Sequence, residues 1–191
     1  MANLSDSFPA AAGSNILEAI SGTCDGRAIE VMSGTYTLGN VTAYQNLSTS
    51  YVDVTGSSIA YTPPSDANHV LYKFDFEWDS IASSGISHFK LIIDGTEVVP
   101  AYKCISSNYS GNHGHHHAHH MESMFYNFDL AASSDDAANG KFASWTTAKT
   151  IKVQAREYSG TYQAAVHHNA YYSTFGTSQY TKPSLTVKAY S

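Results

Sequence analysis

The stretch "VLYKFDFEW", residues 70–78, decides the fold. Val70, Tyr72, Phe74 and Phe76 fall on one side of an extended chain, and Lys73, Asp75 and Glu77 on the other. A period of two is the signature of a strand with one face in a core and the other in water. The pattern returns in "HFKLIIDG", residues 88–95, where Phe89, Leu91 and Ile93 share a side before a hairpin turn at Asp94-Gly95. It returns again in "IKVQAREY", residues 151–158, and in "LTVKAY", residues 185–190. "TYTLGNVTA", "YVDVTGSSIAYTPP" and "MFYNFDL" add further strands, separated by Gly, Pro, Ser and Asn clusters. One-sided alternation on this scale predicts antiparallel sheets in a two-sheet jelly-roll sandwich. The spacing of Ile16, Leu17 and Ile20 in "SNILEAI", residues 14–20, predicts one short N-terminal helix capped by Ser14 or Asn15.

At 191 residues the chain suits a single domain, with residues 1–13 as an arm available to anchor it and 14–191 as the jelly roll. Only 14% of residues are charged, so Ser, Thr, Asn and Tyr must cover the surface. With a net charge of −6 such a surface does not attract nucleic acid, and no apolar run is long enough to insert in a membrane. The first twenty residues lack a basic segment and an uninterrupted apolar core, so no export signal is expected and synthesis is placed in a cytosol. Cys24 and Cys104 could pair, but one pair is no disulfide framework, and buried free thiols are the default expectation.

No catalytic motif stands out. The chain lacks G-x-S-x-G, a P-loop, H-E-x-x-H, and a G-x-G-x-x-G after a strand, so no enzyme is expected. Cys24-Asp25-Gly26 and Asp135-Asp136 read as turns. The concentrated chemistry lies in "SGNHGHHHAHHME", residues 110–122, with six histidines between positions 113 and 120. The segment at 110–121 is expected as a long loop between strands. On an extended backbone His113, His115, His117 and His119 point one way, with His116 and His120 opposite. Two imidazoles from each of three chains would complete an octahedral shell around iron, zinc or nickel and staple a homotrimer. The alternatives are a solvent-exposed loop with incidental metal affinity, or a contact that responds to pH. In "AAVHHNAYY", His167 or His168 is expected as a packed structural residue. Fourteen tyrosines offer either half-buried strand positions or an aromatic contact surface. For the second, Tyr171, Tyr172, Phe175 and Tyr180 are the candidate contacts to a glycan or receptor.

Longer blocks carry a resemblance. "SNILEAISGTCDGRAIEVMSGTYTLGNVTAYQNL", "TSYVDVTGSSIAYTPPSDANHVLYKFDFEW", "ISHFKLIIDGTEV" and "WTTAKTIKVQAREYSGTYQAAVHHNAYY" resemble structural proteins of marine phages and large aquatic viruses. "KPSLTVKAY" does so too, and the likeness runs from about residue 7 to the end, most specifically at "CDGR", "YTPP", "HFKLIIDGTEV" and "KVQAREY". It implies a virion fibre, knob or capsid decoration on the particle surface, similar to trimeric jelly rolls of the tumour necrosis factor and complement-head type. Its partners would be itself, other virion proteins and a host-surface glycan or protein receptor, serving host attachment or particle stabilisation. A metal- or carbohydrate-binding lectin-like module outside a virion is the alternative. In similar phage fibres G-x-H-x-H motifs from three chains hold iron, and Gly111, His113 and His115 match that pattern.

Overall fold

In the computed structural model, which describes residues 15–81, 84–108, 118–169 and 179–191, every strand pairing is antiparallel. The strands among these residues are β1 (Ile16–Thr23), β2 (Ala28–Val31), β3 (Gly34–Thr37), β4 (Gln45–Asn46), β5 (Val52–Asp53) and β6 (Ile59–Tyr61). There follow β7 (His69–Ser80), β8 (Ser84–Ile93), β9 (Thr96–Asn108), β10 (Ala118–Asp129), β11 (Lys149–Glu157), β12 (Ala164–Val166) and β13 (Ser184–Tyr190). The stretch at 70–78 forms the middle of the six-stranded sheet. One edge of β7 pairs with β13 along His69–Asp75 and with β12 along Trp78–Ser80, while β10 covers its whole other edge. β1 flanks β13, and β4 flanks β12. The five-stranded sheet is centred on β11 and β8: β8 lies between β11 and β9, and β5 and β6 share the far edge of β11. β2 and β3 form a separate hairpin.

Alternation sets which side chains meet. Val70, Tyr72, Phe74, Phe76 and Trp78 are all fully buried, as are Phe89, Leu91, Ile151, Val153 and Ala155 from the other sheet. The Phe76 and Phe89 rings lie 5.2 Å apart, which joins the sheets in one core. Each large aliphatic or Phe side chain among them contributes about 1.5–3 kcal/mol through burial. The polar tips are satisfied: Trp78 Nε1–H donates to Ser87 Oγ at 2.9 Å, and Tyr72 O–H to the Ser57 carbonyl at 2.6 Å. Asp94 and Gly95 turn the β8–β9 hairpin with φ of 46° and 82°, the doubly positive turn that matches strand twist.

The expected N-terminal helix is not formed. Residues 16–23 are strand β1, paired with β13 from Ile16 opposite Tyr190 to Thr23 opposite Ser184. Helical spacing misled because Glu18 occupies an inward position. Its carboxylate accepts Tyr61 O–H and Ser33 O–H, both at 2.6 Å, and Ser33 N–H at 2.9 Å, so the charge is buried among donors. The loop expected at 110–121 also ends sooner, since Ala118–Met121 already pair with Ser80–Glu77 as the start of β10. Both cysteines are free, Cys24 buried and Cys104 exposed, so the expectation of buried thiols holds for the first alone. Asp135 and Asp136 serve a turn: Asp135 accepts Ala143 N–H, and Asp136 precedes one 3-10 turn at Ala137–Asn139. Among the described residues no helix is long and apolar enough to cross a membrane. The arm at 1–13 lies outside the described residues.

Candidate functional site

Where the histidine tract enters β10, strand register determines what each imidazole meets. His119 lies opposite Asp79 and His120 opposite Trp78, so the two rings take opposite faces of the six-stranded sheet. His120 packs against the Trp78 indole, with centroids 5.6 Å apart. His119 joins the outward residues of β7: its Nδ1 lies 3.1 Å from Glu77 Oε1 and 3.9 Å from Asp79 Oδ1.

A second histidine completes this corner from the residues after β12. His168 Nδ1 lies 2.6 Å from Asp79 Oδ2, and Asp79 is fully buried even though it belongs to the outward row of β7. The backbone carbonyl of His168 also accepts from His119 Nδ1 at 3.1 Å. The two imidazoles stack 6.3 Å apart at 24°, and the Tyr44 ring meets His168 edge-on at 4.5 Å. Acceptors around each Nδ1 place the proton there, so Glu77 and Asp79 fix the tautomer and orientation of the rings. An imidazole held in this way meets a metal through Nε2, with the carboxylate as orienting partner.

Next to it, His167 is fully buried and has a positive φ of 64°. Its Nε2–H donates to the Thr55 carbonyl at 2.9 Å, and burial pushes its pKa down to about 4. Both residues of the His167-His168 pair are therefore structural, where only one was expected.

Of the predicted ligands, His113, His115 and His117 lie outside the described residues, and His119 alone is placed, beside Glu77, Asp79 and His168. Among the described residues no group of three or more His, Cys, Asp and Glu side chains is arranged to hold a metal ion. Of the predicted aromatic contacts, Tyr171, Tyr172 and Phe175 lie outside the described residues. Tyr180 is half-buried against the core, bridged to His168 through its backbone. Sequence reasoning missed Glu77, Asp79 and His168 as partners of His119, because they come from β7 and the segment after β12, which only sheet register brings beside it. It also missed an aromatic recess on the outer face of the other sheet, lined by Tyr51, His88, Arg156 and Tyr158. No protein-family model matches the chain, and no curated protein matches its sequence.

Proposed function

We propose that the chain is a non-enzymatic virion component, a jelly-roll fibre, knob or capsid-decoration module that works as a homotrimer in host attachment or particle stabilisation. The observation that carries the reading is strand order. Taking β5 and β6 as one interrupted strand, and setting aside β2, β3, β4 and β12, leaves eight strands. In chain order they read 1-8-3-6 in one sheet and 2-7-4-5 in the other. That order matches the jelly-roll scheme, a scaffold shared by viral capsid and lectin domains, and supports the reading. The blocks at residues 14–47, 49–78 and 145–172 supply the viral resemblance.

Open edges support assembly. β9 and β10 span 13 and 12 residues, and each has one edge that no strand hydrogen-bonds among the described residues; the two edges flank one groove, across which Lys103 pairs with Glu122 and donates to the Ser123 carbonyl. Long open edges with exposed apolar side chains invite pairing with another chain, and Val99, Tyr102, Met121 and Phe125 are all exposed there. The occupant we assign to this surface is a second copy of the same chain, repeated around a threefold axis. In such a trimer His113, His115, His117 and His119 are the proposed ligands for iron, zinc or nickel, with Glu77 orienting His119.

Light scattering on the purified chain tests the trimer: three times the 20.6 kDa chain mass is expected, and a monomer at all concentrations would overturn it. Elemental analysis of protein that never met a nickel column should find a transition metal, and a chelator should lower the melting temperature; unchanged mass and melting would remove the metal staple. Antibody labelling of native particles tests the setting. A lectin-like module outside a virion is the second reading, favoured by the aromatic recess around Arg156.

A further inference from the structure

On the outer face of the five-stranded sheet, register sets Cys104, His88 and Arg156 side by side across β9, β8 and β11. Ile86, two residues before His88, and Tyr158, two after Arg156, share that face by the strand period. Tyr51, just before β5, leans over the row. Its hydroxyl hydrogen-bonds His88 Nδ1, and its ring carries Lys90 Nζ at 4.0 Å and the Arg156 guanidinium carbon at 5.2 Å. Together these residues enclose about 260 Å³.

We propose that this recess binds an acidic sugar, with its carboxylate or sulfate on Arg156 and its C–H face against the tyrosine rim.

Arg156 is the anchor. The other arginine, Arg27, is held by both oxygens of Asp25, whereas Arg156 is exposed and has no ion pair or hydrogen bond among the described residues. A planar guanidinium held within cation–π distance of a ring can still offer two parallel bonds to a carboxylate or sulfate. Two acids share this face: Glu97 is engaged by Lys90 and the Tyr102 hydroxyl, and Asp53 by Lys152 and Gln154, so both charges are locally answered. Burial, with Arg156 and Lys90 nearby, holds the His88 pKa below the usual histidine value. His88 therefore stays neutral at pH 7 and offers a hydrogen bond without competing for the anion.

The rim suits a sugar ring. Tyr158 is 65% exposed and packs beside Tyr162, with centroids 5.9 Å apart. Sugar C–H groups carry slight positive charge and meet the negative face of such rings. The volume falls below the roughly 300–1,000 Å³ of pockets for larger ligands, which matches one ring and not an extended chain. The proposal takes its setting from the attachment reading, but its chemistry stands on the recess alone.

Full-length chain should be titrated with 3′-sialyllactose, 6-sulfolactose and neutral lactose, with ligand-observed NMR as the readout. At least one acidic sugar is expected to bind about tenfold or more tightly than lactose, and the two acidic arms separate carboxylate from sulfate recognition. Arg156→Ala should cost that whole margin, and Arg156→Lys part of it, because the ammonium loses the bidentate fork. A bulky maleimide on Cys104 should block binding while Cys104→Ser leaves it intact; neither Arg156 nor Cys104 is in the core, so folding should survive these changes. Failure of both acidic sugars to bind better than lactose, or binding indifferent to Arg156→Ala, overturns the proposal. Particle labelling without sugar binding overturns the recess but leaves the virion reading standing; sugar binding without particle labelling does the reverse.

Discussion

His167 shows how much one residue can carry in this fold. Its main chain ties two elements together, accepting Thr181 N–H at 2.9 Å and donating to the Glu77 carbonyl at 2.7 Å. Its ring is buried edge-on to Phe74, and Nδ1 has no hydrogen-bond partner among the described residues. The folded protein keeps this imidazole neutral down to about pH 4, while the unfolded chain takes up a proton near 6.5. Below 6.5 the unfolded state therefore binds more protons, and stability falls as pH drops from 6.5 toward 4. The full shift is worth about 3 kcal/mol at most. Urea unfolding at pH 7 and pH 4.5 should show the loss. His167→Asn, which tolerates the positive φ and does not titrate, should remove most of that slope; equal slopes in the two proteins would refute the assignment.

Among the elements, the connection after β10 makes a sharp demand. Gly140 sits at φ 65°, and a Cβ there would come within 2.2 Å of the Tyr126 ring, whose hydroxyl donates to the Asn139 carbonyl. Gly140→Ala meets both the backbone penalty and the ring, so a loss of about 1–3 kcal/mol is expected in thermal unfolding. A melting temperature equal to the parent's would show that Tyr126 swings aside at no cost. Elements also differ in how plainly the sequence announces them. β7, β8, β11 and β13 are long and have one face in the core, so polar and apolar residues must alternate. β1 broke the pattern because its inward Glu18 accepts hydrogen bonds from Tyr61 and Ser33, partners far along the chain. β12 could not alternate at all, since Ala164, Ala165 and Val166 are each fully buried. β4 and β5 are two residues long and exist only through their neighbours.

For the whole molecule, the proposed trimer makes its sharpest demand on the outer edges of β9 and β10. Phe125 is 65% exposed on β10 and contributes little to the core of a single chain. If the proposed trimer forms through this face, Phe125→Asp should leave the melting behaviour of the single chain within about 0.5 kcal/mol of the parent while giving a monomer in light scattering. An unchanged trimer would move the interface to another face. The sequence by itself determined the all-β class, the faces of the long strands and the Asp94-Gly95 turn, because each follows from chain geometry and local solvation. Only the tertiary structure decided that residues 16–23 are a strand, that Glu77, Asp79 and His168 gather around His119, and that Arg156 stands over Tyr51. Those placements depend on register between strands far apart in the chain, and register is set by the packing of the whole core, not by any one segment.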